Sequence, residues 1–208
     1  GLTGLPASYL YGMSGGYGRA SFADLNNDGW VDLYTMSATG NQIYFNNNNS
    51  TFTFLRTVPN TVRPCPTPAG DFDNDGDLDI MSLGNYPTDA YLFKNNLNNK
   101  NWLKVRLRGT ASNYYGVGGK IYVYAAGHAD DPAFLKGYRE VMCATHYSLP
   151  LEQHLGVVST ATFDVKAIFP SGTVVTKTGV TAPQILVIRE DDAPVEAESR
   201  KANCEVRG

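Results

Sequence analysis

The sequence predicts an all-β protein built in two parts, and three observations lead to this fold class. Its 208 residues include 21 Gly, 11 Pro and 13 Tyr, a composition typical of turns and strands rather than of a helical bundle. Within residues 1–100, no apolar period of 3.6 residues persists for the roughly ten positions that indicate a helix. Short apolar or alternating runs bounded by Gly, Asn and Pro recur along the chain, and such runs are typical of strands.

An internal repeat organises residues 1–100. The phrase D-x-[DN]-x-D-G-x-x-D begins at Asp24 and again at Asp71. Each copy is followed by a similar phrase, at residues 43–47 and at residues 92–96. We therefore expect two β-meander repeats, each with an acidic turn. The strand signals between these anchors lie at residues 33–36, 42–45, 51–55 and 91–93.

A different pattern begins at Trp102 and predicts a β-sandwich over residues 101–190. Leu103, Val105 and Leu107 alternate with basic residues, as in a strand with one buried face. Further β-branched or aromatic runs are separated by Gly and Pro clusters, which gives roughly seven strands in all. These runs cover residues 121–125, 161–169, 173–178 and 185–188.

Two segments of the second part differ from the strands. Residues 131–141 offer a weak helical turn, with Pro132 suited to a first helical position. From Glu190 onward charged residues dominate and no periodicity persists. We expect residues 191–208 to form a mobile, charged C-terminal tail.

The two acidic loops carry the pattern of a hard-cation site. Oxygen ligands at alternate positions of a tight loop suit Ca²⁺, which takes about six to eight oxygens at irregular geometry. Loop positions 1, 3, 5 and 9 offer side-chain oxygens, and position 7 offers a backbone carbonyl for which the side-chain type should not matter. The expected ligands are Asp24, Asn26, Asp28, Trp30 and Asp32 in the first loop and Asp71, Asp73, Asp75, Asp77 and Asp79 in the second.

Calcium is the expected cofactor, with one structural ion in each loop. The alternative is that both loops are metal-free Asp-Asn turns, but the carboxylates of one loop repel each other strongly unless a cation neutralises them. Mg²⁺ prefers fewer protein ligands, and soft metals find no sulfur or imidazole in these loops.

The acidic phrases resemble a known repeat family. Residues 22–29 and 70–79 are similar to the FG-GAP or VCBS repeats of integrin alpha-chain propellers. The second half resembles the ASPIC/UnbV domain that follows such repeats in the cartilage acidic protein family. The resemblance, which covers residues 15–190, implies a secreted calcium-binding protein of adhesion or matrix type. Its motifs in the second half lie at residues 101–105, 116–121, 154–156, 169–172 and 184–187.

Two repeats are too few to close a propeller, which takes about four to eight blades. The open strand edges therefore need a cover. The chain is a fragment of a longer protein, or the sandwich packs on one edge, or further copies pair edge to edge into an oligomer or fibre. We expect self-association or other extracellular proteins as partners, and the extracellular space as the location.

Composition disfavours two classes of partner. The net charge of −3 at pH 7 leaves no basic surface of the kind that neutralises the phosphates of a nucleic acid. No apolar run approaches the ~18 residues of a membrane span, and the first residues lack the pattern of a signal peptide.

The sequence alone does not decide the disulfide pairing or the glycosylation. Cys65, Cys143 and Cys204 have no CxxC spacing, which leaves either one disulfide with an unpaired thiol or three buried thiols. Asn48 and Asn49 each begin a glycosylation sequon in a polar loop.

The sequence favours a structural or adhesive function over catalysis. The three histidines are scattered and no Ser/His/Asp set is evident. Residues 116–120 resemble a phosphate loop, but Ile121 replaces the required Ser or Thr, so a turn is expected. The alternative function is a lectin-like module that binds glycans through tyrosines such as Tyr114 and Tyr115, although such rings more often serve strand packing.

Overall fold

A computed structural model describes residues 19–36, 41–58, 69–83, 90–142, 151–157 and 161–192. These residues form fourteen strands in four sheets and two short 3-10 turns, so the predicted all-β fold class is confirmed. The three cysteines, together with Tyr9, Tyr11 and Tyr17, lie outside the described residues. Over the described ranges, no helix has the length and apolarity that crossing a membrane requires.

Each acidic phrase connects the first two strands of a small antiparallel sheet. The first sheet has four strands in chain order, and the second has three. The first sheet contains β1 (Arg19–Ala23), β2 (Asp32–Met36), β3 (Asn41–Asn46) and β4 (Phe52–Val58). The second contains β5 (Ala69–Gly70), β6 (Asp79–Leu83) and β7 (Ala90–Phe93).

The two small sheets share one apolar core. Tyr34 on β2, Ile43 on β3 and Ile80 on β6 belong to the same buried cluster, with Leu25 from the first acidic loop. Because alternate residues of a strand face opposite sides of a sheet, each short strand contributes only one or two side chains to this core. The acidic loops are therefore carried by a thin, jointly packed scaffold.

The remaining strands form two sheets that enclose a second and larger core. One sheet has the order β10-β9-β12-β13 and the other the order β11-β8-β14, which matches the roughly seven strands that the sequence predicts. Their bounds are β8 (Trp102–Arg108), β9 (Lys120–Ala125), β10 (Leu135–Glu140), β11 (Gln153–Gly156), β12 (Thr162–Ile168), β13 (Val174–Thr181) and β14 (Gln184–Arg189).

Strand β8 is the central strand of the three-stranded sheet. Leu103, Val105 and Leu107 are fully buried in the core, as their alternation predicts. The strand pairs antiparallel with β11 and parallel with β14. The basic residues of the alternation do not all face solvent, however, because Lys104 is only 3% exposed. Another part of the molecule therefore covers that side of β8.

The helical turn expected at residues 131–141 is wrong for most of its length. Only Pro132–Phe134 forms a 3-10 turn, capped by the Asp131 carboxylate, which accepts a 3.0 Å hydrogen bond from the N–H of Ala133. From Leu135 the chain is strand β10, paired with β9. Pairing with a neighbouring strand outweighs the weak local helix preference.

Glu190, where the charged C-terminal stretch of the sequence begins, is buried and anchored. Its carboxylate accepts hydrogen bonds from the N–H groups of Thr110 and Ser112, at 2.6 and 2.8 Å, and from the hydroxyls of Ser112 and Ser171. These bonds hold the pKa of Glu190 at about 2, against the burial that would raise it. Residues 193–208 lie outside the described part of the chain.

Candidate metal centre

The carboxylate of the first aspartate in each loop accepts hydrogen bonds from two backbone N–H groups farther along the same loop. Asp24 accepts hydrogen bonds from the N–H groups of Asp28 and Gly29, at 3.1 and 2.9 Å. Asp71 accepts from Asp75 and Gly76 at 3.1 and 2.7 Å. Short polar side chains that bind nearby backbone N–H groups favour turns over regular structure, so the loop position of this residue is set locally.

The last aspartate of each loop binds both the loop itself and the second repeated phrase. Asp32 accepts from the N–H groups of Leu25 and Asn46, at 2.8 and 2.9 Å. The equivalent bonds in the second repeat join Asp79 to Phe72 and Asn95, at 3.1 and 2.7 Å. Asn46 and Asn95 belong to the second repeated phrase, so this phrase recurs because it closes the acidic loop.

The residues at loop positions 3 and 5 also make equivalent hydrogen bonds in both loops. Asn26 and Asp73 each accept from the N–H of position 5, at 3.1 and 3.2 Å. Asp28 accepts from the N–H of Trp30 at 2.8 Å, and Asp75 from that of Asp77 at 3.0 Å. The ten predicted ligand residues therefore occupy equivalent places in two similarly folded loops.

Three carboxylates of the second loop converge. Asp71, Asp73 and Asp79 each offer a ligand atom within 4.8 Å of the other two. No other trio of acidic, His or Cys side chains meets so closely in the described ranges. The first loop has Asn26 where the second has Asp73, and the carboxylate of Asp75 lies outside the trio. A donor set made only of oxygens fits a hard divalent cation such as Ca²⁺.

Position 7 differs between the loops, because its side chain is exposed in the first loop and buried in the second. Trp30 is 42% exposed, whereas Asp77 is 1% exposed. The Asp77 carboxylate accepts from the amide of Asn27 at 2.9 Å and from the N–H of Asn98 at 2.6 Å. It therefore links the two loops.

Residues that follow β7 strengthen this link. The Asn99 side chain donates to the carbonyl of Asn26 at 2.9 Å and accepts from the side chain of Asn27 at 3.2 Å. The Asn95 amide donates to the carbonyl of Leu25 at 2.7 Å. Because these bonds join residues about seventy positions apart, the two loops form one hydrogen-bonded unit.

The sandwich packs directly on both loops. A Cβ atom at Gly156, which ends β11, would lie 2.0 Å from Oδ2 of Asp24. A Cβ atom at Gly76 would lie 1.8 Å from Nε1 of Trp102. The His154 ring Nε2 lies 3.0 Å from the carbonyl oxygen of Gly76 and donates to it. These contacts leave room for glycine alone at Gly76 and Gly156.

Burial dominates the electrostatics of the first loop. It raises the pKa of Asp24 to about 6 and that of Asp32 to about 7, and the negative charge of neighbouring aspartates adds to both shifts. Among the residues that the structure covers, no ion pair reaches this loop. Burial also lowers the pKa of His154 to about 4, so the ring is neutral at physiological pH.

Lysines offset part of the negative charge of the second loop instead. The ammonium group of Lys104 contacts Oδ2 of Asp71, and both side chains are about 4% exposed. The ammonium group of Lys94 contacts Asp73 and lies 3.3 Å from Oδ2 of Asp75. In the first repeat, Phe45 occupies the place that corresponds to Lys94.

Four residues of this centre do not follow from the sequence patterns: Lys94, Lys104, Trp102 and His154. Lys94 carries a signal, because it is the basic exception in a repeated phrase that has Phe45 at the same place. Lys104 carries none, since its alternation with apolar neighbours indicates a solvent-facing side chain. Only the packing of the sandwich on the loop makes it a partner of Asp71.

The other candidate groups lie apart from the loops. Tyr122 stacks on Tyr124, with ring centres 6.3 Å apart, and lies 4.9 Å from Tyr138 on the paired strand. Tyr114 and Tyr115 are 61% and 50% exposed, with the guanidinium group of Arg108 at 5.1 and 5.8 Å from their ring centres. Residues 116–120 form the expected turn, with Gly116 and Gly118 at positive φ.

Asn48 and Asn49 are exposed between β3 and β4.

Comparison with known proteins gives one match. The sequence model of the FG-GAP-like repeat family matches residues 24–82, a range that contains both acidic loops. We found no match of the chain to a curated protein or to a solved structure. The hydrogen-bonded frame of the two loops and the matched range agree, so residues 24–82 constitute an FG-GAP-like repeat region.

Proposed function

We propose that this chain is a calcium-binding structural or adhesion protein of the extracellular space, in which each acidic loop holds one Ca²⁺ ion. The convergence of Asp71, Asp73 and Asp79 carries the proposal. The equivalent frame in the first loop and the FG-GAP-like match support it. The finer assignment of residues 101–190 to an ASPIC/UnbV-like domain of the cartilage acidic protein family also remains a proposal.

The loop carboxylates have two proposed roles, which are to hold the loop in place and to bind the cation. Asp24, Asp32, Asp71 and Asp79 position the loops through their bonds to backbone N–H groups. Each of these carboxylates keeps further lone pairs for a cation, because a carboxylate has about four acceptor sites. A bound Ca²⁺ supplies positive charge that offsets the repulsion within the loops. The proposed role is therefore to fix the repeats as a rigid surface.

The test compares thermal unfolding with Ca²⁺ and with chelator. Extracellular Ca²⁺ modules have a Kd of about 10⁻⁴ to 10⁻³ M, so two sites at ten times Kd add roughly 3 kcal/mol to the free energy of unfolding. For a chain of this size we expect Tm to rise by roughly 5–10 °C. Mg²⁺ at the same concentration should raise Tm less, and an Asp73→Asn, Asp79→Asn double variant should lose about half of the Ca²⁺ effect. An unchanged Tm in Ca²⁺ would contradict the proposal.

Self-association through strand edges is part of the proposed structural role. Strand β4 is an edge of the first sheet, and Phe54 and Leu55 on it are 51% and 46% exposed. Strand β7 is an edge of the second sheet, and Tyr91 and Leu92 on it are 42% and 56% exposed. Exposed apolar edge strands favour pairing with further strands. Light scattering after size exclusion at millimolar Ca²⁺ should detect oligomers, and a strict monomer at high concentration would contradict this part of the proposal.

A further inference from the structure

Lys104 is a buried cation that the sandwich places on the second acidic loop. It projects from β8, and its side chain is 4% exposed. Its ammonium group contacts Asp71, lies 3.7 Å from Oε1 of Glu152 and lies 5.3 Å from the ring centre of Trp102. Carboxylates and an aromatic face are the surroundings in which a buried ammonium is tolerated.

Lys94 approaches the same loop from the repeat itself. It contacts Asp73 and Asp75, but its side chain is 49% exposed. The two lysines together engage three of the five predicted ligand residues of the second loop. Solvent screens Lys94 much more than Lys104, because only Lys104 is enclosed by protein.

The first loop has no counterpart of this arrangement. Phe45 stands where the second repeat has Lys94. The sandwich meets the first loop through the backbone of Gly156 rather than through a lysine. Within the described residues, Asp24, Asp28 and Asp32 make no ion pair. Arg139 on β10 acts on Asp24 through its charge but forms no ion pair with it. The two loops thus share a frame but differ in whether the protein pairs their carboxylates directly with a cation.

We propose that Lys104, with Lys94 as a weaker second group, is a tethered competitor of Ca²⁺ that lowers the affinity of the second loop for the ion. This inference rests on the proposed function, because it assumes that the loops bind Ca²⁺. An ammonium group on Asp71 repels a divalent ion on the same carboxylate, and the repulsion is strong where protein excludes water.

The competition also couples the ion to the sandwich. Lys104 belongs to the sandwich, whereas Asp71 belongs to the repeats, so their contact is part of the packing of one on the other. Coupling between two binding events is reciprocal. If this contact weakens Ca²⁺ binding, then Ca²⁺ in the second loop weakens this contact by the same factor. Through the second loop, the calcium concentration then controls how strongly the sandwich is attached to the repeats.

The two tryptophans of the chain make the test specific, because Trp30 lies in the first loop and Trp102 packs against the second. A Trp30→Phe variant leaves Trp102 as the reporter of the second loop. In this background we expect Lys104→Met to lower the Kd for Ca²⁺ by about tenfold or more. Lys94→Met should lower it by only about threefold. Lys104→Arg, which keeps the charge, should retain weak binding, and the exposed Lys120→Met serves as the control with unchanged Kd.

The outcomes separate this inference from the proposed function. If Trp102 fluorescence and calorimetry detect no Ca²⁺ binding in any variant, the proposed function fails and this inference fails with it. If Ca²⁺ binds but Lys104→Met leaves Kd unchanged or raises it, this inference alone is overturned. If Lys104→Met does not fold in chelator, Lys94→Met decides, since its lysine is exposed: tighter binding supports the inference, and unchanged or weaker binding overturns it.

Discussion

The two acidic loops share the same hydrogen bonds to the backbone, but their negative charge is accommodated differently. Equivalent carboxylates bind equivalent N–H groups in both, from Asp24 and Asp71 at the start to Asp32 and Asp79 at the end. The first loop buries Asp24 and Asp32 without an ion pair among the described residues, and the pKa values of these two carboxylates rise. The second loop is paired with Lys94, which follows β7, and with Lys104 on β8. A repeated sequence thus specifies loop geometry, while neighbouring residues decide how its charge is balanced.

The largest expected effect tests how the sandwich contacts each loop. Gly76 and Gly29 have φ of +97° and +93°, so alanine is strained at both by about 1–2 kcal/mol. At Gly76 the new Cβ would also overlap Trp102, whereas at Gly29 the nearest atom is 3.1 Å away. We expect Gly76→Ala to lower the free energy of unfolding by about 4 kcal/mol, and Gly29→Ala by about half as much.

Urea denaturation of the two variants measures this difference, with Gly172→Ala as the matched control. Gly172 has φ +92°, and no atom lies within 4 Å of the place that an alanine methyl group would take, so its cost is backbone strain alone. If Gly76→Ala costs no more than Gly172→Ala, the contact between Trp102 and the second loop is not as described.

A smaller effect is expected at position 7 of the loops. Asp77→Ala removes the acceptor of the Asn98 N–H and one of the acceptors of the Asn27 amide, which keeps its bond to Asn99. A buried donor that loses its acceptor costs about 1–3 kcal/mol, so we expect a loss of about 2–3 kcal/mol. Trp30→Ala should cost about 1 kcal/mol, because Trp30 is largely exposed. Equal losses in denaturant titrations of the two variants would contradict the assigned inter-loop role of Asp77.

The smallest effect is the pH dependence of the metal-free protein. The raised pKa values of Asp24, about 6, and Asp32, about 7, stabilise the fold fully below pH 3.8, and this contribution is lost as pH rises through 6 and 7. His154, with its pKa lowered to about 4, acts in the opposite sense between pH 4 and 6.5. We expect a net loss of about 2 kcal/mol between pH 5 and pH 8.

Denaturant midpoints in chelator at pH 5 and pH 8 measure this loss. In an Asp32→Asn variant, which cannot ionise at that position, most of the loss should disappear. A metal-free protein that is more stable at pH 8 than at pH 5 would show that the buried carboxylates of the first loop do not control its stability.

Much of the fold follows from local sequence patterns. The repeated phrases, the alternation of Leu103, Val105 and Leu107 and the Gly-Pro punctuation suffice for an all-β chain with a seven-stranded second part. The equivalent places of the acidic residues in the two loops also follow from spacing alone. The helical prediction is wrong for residues 135–140 because a weak local preference says nothing about the strand that pairs with them.

The long-range contacts could not be predicted in the same way. The burial of Lys104, the inter-loop bonds of Asp77 and the anchoring of Glu190 all join residues far apart in the chain. Each of these polar side chains resembles a solvated one in sequence, because burial with a partner depends on how separate sheets pack. The parts of the centre that distinguish its two loops are therefore visible only in the structure.

Calorimetric titration of the chelator-stripped chain with Ca²⁺ tests the central claim most directly. We expect two binding events of unequal affinity, one of which disappears in an Asp71→Asn, Asp73→Asn variant. Two equal sites would contradict the contrast between the loops, and the absence of any binding heat together with an unchanged Tm would contradict the assignment of both loops as calcium sites.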